Sequence, residues 1–213
     1  NAILDIFNFK ILIKNIFTQK SRIYFDNLNL NITDKNNSLA KIKNIEFSNY
    51  GYKKNILEGT IYNRKFKTKI SEKLDNINFR LLNSGLDIDI DLAHDQKNII
   101  KGLFKSKILN SKLKFNFLYD GEVLNIYNSF FRSKNLSFKN KSIITLKPYL
   151  EINSNFKVEN FDIKILNKFK KDKLLIFKET IKKINSRNEI IFISKKFSQN
   201  LIDKFNLKIN LAY

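Results

Sequence analysis

The chain contains no cysteine, no methionine and no tryptophan, and has one proline, one histidine and five glycines among its 213 residues. Without cysteine there is no disulfide framework, no thiol nucleophile and no cysteine-liganded metal centre. So little glycine and proline excludes collagen-like and linker-like chains. Long apolar runs are missing too. The longest are about four residues, Leu174 to Phe177 and Ile190 to Ile193, whereas a membrane-spanning helix needs roughly 20. No secretory leader is visible at residue 1. A chain that starts at Asn1 without methionine and stops within an alternating run is expected to be a processed product or a piece of something longer. An apolar content of 43% with 13% aromatics excludes disorder. The length suits one domain that buries about 70% of its unfolded surface.

What the chain does have is lysine, asparagine, isoleucine and phenylalanine (35, 31, 32 and 20), which together make up more than half of it. The formal net charge is +20, with 40 basic and 20 acidic side chains. Such a charge invites a polyanion-binding reading. Lysine outnumbers arginine 35 to 5, however, and nucleic-acid readers lean on the bidentate guanidinium. The four dominant residues are those with the most A/T-rich codons, so base composition supplies much of the lysine. The lysines are spread along the chain and are densest at Lys164, Lys168, Lys170, Lys171 and Lys173. A solvated lysine face is therefore expected, with a surface for polyanions or anionic lipids as the sharper alternative.

The dominant pattern has period two. Phe7, Phe9, Ile11 and Ile13 alternate with Asn8, Lys10, Leu12 and Lys14, and Leu28, Leu30 and Ile32 alternate with asparagines. Ile45 and Phe47 follow, then Ile77, Phe79 and Leu81, then Leu86, Ile88, Ile90 and Leu92 between Asp87, Asp89 and Asp91. Leu113, Phe115 and Phe117 come next, then Leu124 and Ile126, and finally Leu207, Ile209 and Leu211. Alternation of this kind puts one apolar and one polar row on opposite faces of a strand. The β-branched and aromatic content of the rows supports strand over helix. Asp120-Gly121 reads as a hairpin turn, and Asn36-Asn37-Ser38, Asn49-Tyr50-Gly51 and Asn83-Ser84-Gly85 as turns or loops. Between about Leu166 and Asn185 the spacing of Leu174, Phe177, Ile181 and Ile184 changes to three and four, which predicts an amphipathic helix. Sandwiches and barrels need corners rich in glycine and proline. The expected fold is therefore mainly β: an elongated, curved antiparallel sheet with an apolar groove, spanning residues 1–163. Residues 164–213 are expected to add the helix and closing strands to the same domain.

Little of the sequence points to chemistry. Asp87, Asp89 and Asp91 form a D-x-D-x-D run, but an EF-hand needs Gly at its sixth position and Glu at its twelfth, where this chain has Leu92 and Asn98. The three carboxylates are expected to pair with lysines on neighbouring strands. His94 has no nucleophile motif beside it and no company for zinc. No phosphate-cradling glycine motif occurs. Gly59 and Gly102, inside strand-like runs, suggest bulges or bends. Glu46, Glu58, Glu72, Glu122, Glu151, Glu159, Glu179 and Glu189 are scattered without a catalytic pair, and N-x-[ST] sites are expected by chance among 31 asparagines. Phe115, Phe117, Tyr119, Tyr127, Phe130 and Phe131 could serve as a base-stacking platform. With 20 phenylalanines to 8 tyrosines, a dry core or groove row fits better. Neither an enzyme nor a metal or cofactor site is expected.

The run Ile45-Glu46-Phe47-Ser48-Asn49-Tyr50-Gly51-Tyr52 is followed by Gly59, Phe66 and Gly102. Then come Leu113-Lys114-Phe115-Asn116-Phe117, Asp120-Gly121, Leu124 to Phe131 and Leu136-Ser137-Phe138. In rhythm and composition this resembles the AsmA-like envelope proteins, to which TamB-type proteins are related, over about residues 20 to 213. The resemblance implies a periplasmic protein of a Gram-negative cell, anchored to the inner membrane by a segment outside this sequence. It would contribute to phospholipid transport or outer-membrane homeostasis, with acyl chains as ligands, envelope proteins as partners and no catalytic residues. The candidate groove-lining residues are Ile88, Ile90, Leu113, Phe115, Phe117, Leu124 and Ile126. The alternatives are a β-rich structural or adhesion module and a basic nucleic-acid-binding domain. The first calls for a sealed core. The second calls for lysines converging on one face and steeply salt-dependent binding.

Overall fold

The computed structural model describes residues 2–5, 21–34, 37–94, 99–146, 150–162, 185–194 and 204–211. The chain divides into two compact units, Asn1–Asp91 and Leu92–Tyr213. The boundary falls inside the run expected to form a single groove region.

The first unit holds β1 (Ala2–Asp5), β2 (Tyr24–Asp34), β3 (Asn37–Ser48), β4 (Ile56–Ile61), β5 (Arg64–Ile70), β6 (Asn76–Leu81) and most of β7 (Leu86–His94). The second holds β8 (Ile100–Ile108), β9 (Ser111–Tyr119), β10 (Val123–Arg132), β11 (Leu136–Thr145), β12 (Glu151–Phe161), β13 (Asn185–Ile193) and β14 (Lys204–Leu211). Within each unit the strands lie side by side in chain order, so neither sheet folds back on itself into a barrel. The protein is mainly β and its sheet is open and antiparallel, apart from two parallel junctions, β1 with β2 and β12 with β13. No helix occurs among the described residues, and the expected amphipathic helix falls on residues 163–184, outside them. Asn185, expected to end that helix, begins β13. The alternation over Phe7 to Ile13 and the lysine cluster from Lys164 to Lys173 also lie outside the described residues.

Register converts the period-two pattern into two faces. In the first unit Leu57 pairs with Thr68, Phe66 with Leu81, Phe79 with Ile88 and Ile77 with Ile90, so the apolar rows of β4 to β7 share one face. Lys65, Lys67, Lys69, Arg80, Asp87 and Asp89 share the other. The apolar side is nearly sealed at Ile45 and Phe47 of β3 and at Phe66 and Ile70 of β5, and half-buried along β6 and β7. In the second unit the apolar face collects Phe104, Phe115, Phe131, Phe138, Val158, Phe192 and Phe205, with buried Val158 and Phe192 on β12 and β13.

The scarcity of glycine is met by asparagine. Of the nine described non-glycine residues in the left-handed region, six are asparagines: Asn27, Asn44, Asn55, Asn63, Asn83 and Asn128. A short polar side chain tolerates this conformation better than other L residues. Asn27, Asn44 and Asn128 sit where the register shifts, at the bulges of β2, β3 and β10. Tyr62 and Asn63, both with positive φ, form the two-residue hairpin between β4 and β5, and the pair Ile61–Arg64 closes it.

Gly59 pairs in register with Phe66 on one side and on the other stands opposite the bulge of β3 at Asn44 and Ile45, between the pairs Lys43–Thr60 and Glu46–Glu58, while Gly102 pairs in register with Phe117 on β9. At Gly59 the reason for glycine is space. A Cβ there would lie 2.9 Å from Cε1 of Phe66 and 3.2 Å from the Lys43 carbonyl oxygen. The hairpin at Asp120-Gly121 forms as expected. The Asp120 carboxylate accepts from the amides of Glu122 at 2.9 Å and Val123 at 2.7 Å, Gly121 takes positive φ, and the Tyr119 hydroxyl donates to the Gly121 carbonyl at 2.8 Å. Asn49 ties the loop after β3 to the segment before β2. It accepts from the Ile23 amide at 2.8 Å and donates to the Ser21 carbonyl at 2.8 Å.

Candidate functional site

The seven residues singled out for a groove all lie on apolar faces and are all half-buried. Ile88 and Ile90 belong to the first unit, opposite Phe79 and Ile77. The other five form one patch in the second unit. Leu113, Phe115 and Phe117 occupy alternate positions of β9, and Ile126 of β10 pairs with Phe117 while Leu124 pairs with Tyr119. Phe115 stacks on Phe104 of β8, with ring centroids 4.6 Å apart and planes 12° from parallel, and meets Phe117 edge-on at 6.3 Å. Side chains two apart on a strand and directly opposite on the next come within contact distance, so the apolar rows merge into a continuous surface.

Aromatic contacts extend this surface along the second unit. Phe131 stacks on Phe138 at 4.9 Å, Phe138 meets Phe156 edge-on at 5.4 Å, and Phe192 lies 5.3 Å from Phe205. Among the described residues of the second unit, the strands in substantial contact are hydrogen-bonded neighbours. A polar seam interrupts the apolar rows further along. Ser142 and Ser154, opposite one another and buried, share a hydrogen bond at 2.7 Å, and Ser142 also donates to Asn140 at 2.9 Å. Seams of this kind are hard to see in a sequence, because a serine within an alternating row looks like an ordinary break in it.

The proposed aromatic platform separates into two faces. Phe115, Phe117, Tyr119 and Phe131 lie on the apolar side. Tyr127 pairs with Asn116 and Phe130 with Lys114, which puts both on the polar side. The bulge at Asn128 shifts the phase of β10 between them, and the sequence gives no glycine there to announce it.

The Asp87, Asp89 and Asp91 row meets asparagine and arginine on β6. Asn76 donates to Asp89 at 3.1 Å and to Asp91 at 2.8 Å, Asn78 to Asp87 at 3.2 Å, and Arg80 bridges Asp87 at 3.1 Å. Among the described residues no three His, Cys, Asp or Glu side chains converge on a metal position. His94 is the last residue of β7. Elsewhere the carboxylates are engaged by lysine. Lys67, at 2.9 Å, holds the Glu58 carboxyl below its usual range, and Lys54, at 2.7 Å, does the same to Glu72.

The second unit bears two clefts. One of about 560 Å³ is lined by Asn125, Tyr127, Lys141, Asn153, Arg187 and Glu189 among others. The other, of about 1170 Å³, lies at the end of the strands nearest the β10–β11 turn, lined by Lys112, Phe130, Arg132, Lys134, Ser137 and Asn160 among others. Comparison with protein-family models, with curated proteins and with solved structures returned no match.

Proposed function

We propose that this chain is a non-enzymatic lipid-binding segment, in which phospholipid acyl chains lie along the apolar rows. The observation that carries this reading is the half-buried patch of Leu113, Phe115, Phe117, Leu124 and Ile126, which remains partly exposed within an open sheet. An uncovered apolar surface in an open sheet calls for an apolar partner. An acyl chain gains ~0.8 kcal/mol for each methylene it buries there. The polar face, rich in lysine and asparagine, stays in water. The rhythm that resembles AsmA-like proteins agrees with this reading. On it the curved groove, the periplasmic location, the inner-membrane anchor, the envelope partners and a role in phospholipid transport or outer-membrane homeostasis all belong to the proposal.

The test is the phospholipid content of purified protein bearing Phe115→Asp, with Phe115→Leu as the apolar control. The charge should lower bound phospholipid about tenfold, since an unpaired carboxylate under an acyl chain costs more than about 1.4 kcal/mol. The leucine variant should keep the lipid. A folded Phe115→Asp protein with the parent's lipid content would overturn the reading. A structural β module is the second reading, favoured by the nearly sealed core at Ile45 and Phe47. It expects no bound lipid in either protein.

A further inference from the structure

The lysines of the polar face are unevenly placed once register is applied. Lys107 of β8 stands directly opposite Lys112 of β9, and Lys112 opposite Arg132 of β10. One row further in, Lys105 stands opposite Lys114. Like charges placed opposite one another across strands destabilise the pairing. On β5 the comparable lysine Lys67 has Glu58 at 2.9 Å as counter-ion. No ion pair to Lys107, Lys112, Lys114, Arg132 or Lys134 occurs among the described residues. The nearest carboxylate in the cleft, Glu159, is bridged by Lys139 at 2.9 Å.

This cationic block borders the 1170 Å³ cleft, which Lys112, Arg132 and Lys134 line from three positions. Neutral donors stand beside them. Ser137, opposite Arg132 and only 8% exposed, has no hydrogen-bond partner for its hydroxyl among the described residues, and Asn160 lies opposite Ser137. A buried hydroxyl without a partner is costly. An incoming oxyanion would satisfy it and neutralise the opposed cations at once. Guanidinium, ammonium and hydroxyl donors converging on one volume match the oxygens of a phosphate. Phe130 also lines the cleft and gives it an apolar wall.

We propose that this cleft binds a phosphate-bearing anion, either a soluble phosphoanion or the headgroup of an anionic lipid. The cleft sits at the strand ends, where Phe161 and Phe192 of the apolar rows also reach its lining, and the proposal rests on the cations and Ser137 rather than on the acyl-chain reading. The intact chain and two double variants decide the matter. Lys112→Gln with Arg132→Gln removes two cations from the cleft, and Lys65→Gln with Lys69→Gln removes two from exposed positions of β5. Both pairs are exposed, so all three proteins should share one circular dichroism spectrum.

Binding of inorganic pyrophosphate is measured by calorimetry. Binding to phosphatidylcholine vesicles with and without phosphatidylglycerol is measured by co-sedimentation, at about 0.15 M salt. The cleft variant should bind at least about tenfold more weakly to pyrophosphate, to phosphatidylglycerol vesicles or to both, while the β5 variant keeps parental affinity. Loss confined to pyrophosphate identifies a soluble ligand. Loss confined to charged vesicles identifies a headgroup. Equal losses in the two variants, or no binding to either probe by the parent, would overturn the proposal. So would tighter binding to a single-stranded oligonucleotide, lost in the same cleft variant.

Discussion

Gly59 shows how one missing side chain can fix a local structure. Phe66 is buried, and its ring occupies the space that a Cβ at residue 59 would need, with the Lys43 carbonyl closing the other side. The ring can shift only by disturbing a packed neighbour, and the carbonyl only by disturbing the ladder. Gly59→Ala should therefore lower stability by about 1–3 kcal/mol in chemical denaturation. Adding Phe66→Leu should recover part of that loss. Asp120 acts through charge instead. Amide donation from Val123 and then Glu122 holds its carboxyl below the ordinary 3.8. A carboxyl whose pKa is depressed in the folded state contributes stability that is complete above its unfolded pKa and disappears as pH falls through the folded value. The melting temperature should therefore drop more steeply below about pH 4 in the parent than in Asp120→Ala. At neutral pH the parent should be the more stable of the two.

At the scale of strands and turns, alternation was enough to locate β2, β3, β6, β7, β9, β10 and β14. Most of those rows pair apolar with apolar across the sheet, as Leu28 does with Ile45, Phe79 with Ile88 and Phe117 with Ile126, whereas in β14 only Phe205 and Leu207 do so and Ile209 and Leu211 face Asn188 and Ser186. Turn chemistry was less legible. A low glycine count argued against tight corners, yet asparagine supplies the left-handed residues instead, and its abundance disguised which copies do so. The phase of β10 was lost for the same reason, since the bulge at Asn128 moves Phe130 to the polar side. The seven groove candidates sit in the apolar rows that alternation marks out. The cationic cleft was missed, because its members are spread over five strands and the turns between them, and only register brings them together. The hairpin at Tyr62-Asn63 offers a test of turn chemistry. Tyr62 is 76% exposed with φ of 50°, so it contributes strain and little packing. Tyr62→Gly should raise stability by about 1 kcal/mol, measured as the midpoint of urea unfolding.

At the scale of the molecule, the charge of +20 acts on itself. The ion pair of Lys53 with Glu46 at 3.2 Å is exposed, and pairs of that kind contribute little. The opposed cations Lys107 with Lys112 and Lys105 with Lys114 repel across β8 and β9. Self-repulsion of this kind is screened over about 10 Å at 0.1 M salt. The melting temperature should therefore rise as sodium chloride is raised from about 10 mM to about 150 mM, where the Debye length falls from about 30 to about 8 Å. A protein dominated by favourable ion pairs would respond in the opposite direction. In the Lys112→Gln, Arg132→Gln variant the rise should be smaller.

The parallel junction between β12 and β13 has a kinetic consequence. From β8 to β12 every ladder is a hairpin whose two strands are separated by a few residues, so pairing can spread from turn to turn with little loop to close. β13 runs in the same direction as β12 and begins beside its first residue, so the chain must return along the whole strand through residues 162–184 before Glu151 meets Asn185. Closing that longer segment carries a larger entropic cost and rewards no contact until it is complete. On loop-closure entropy, docking of the β13–β14 pair onto β12 is expected to follow formation of the β8–β12 ladders.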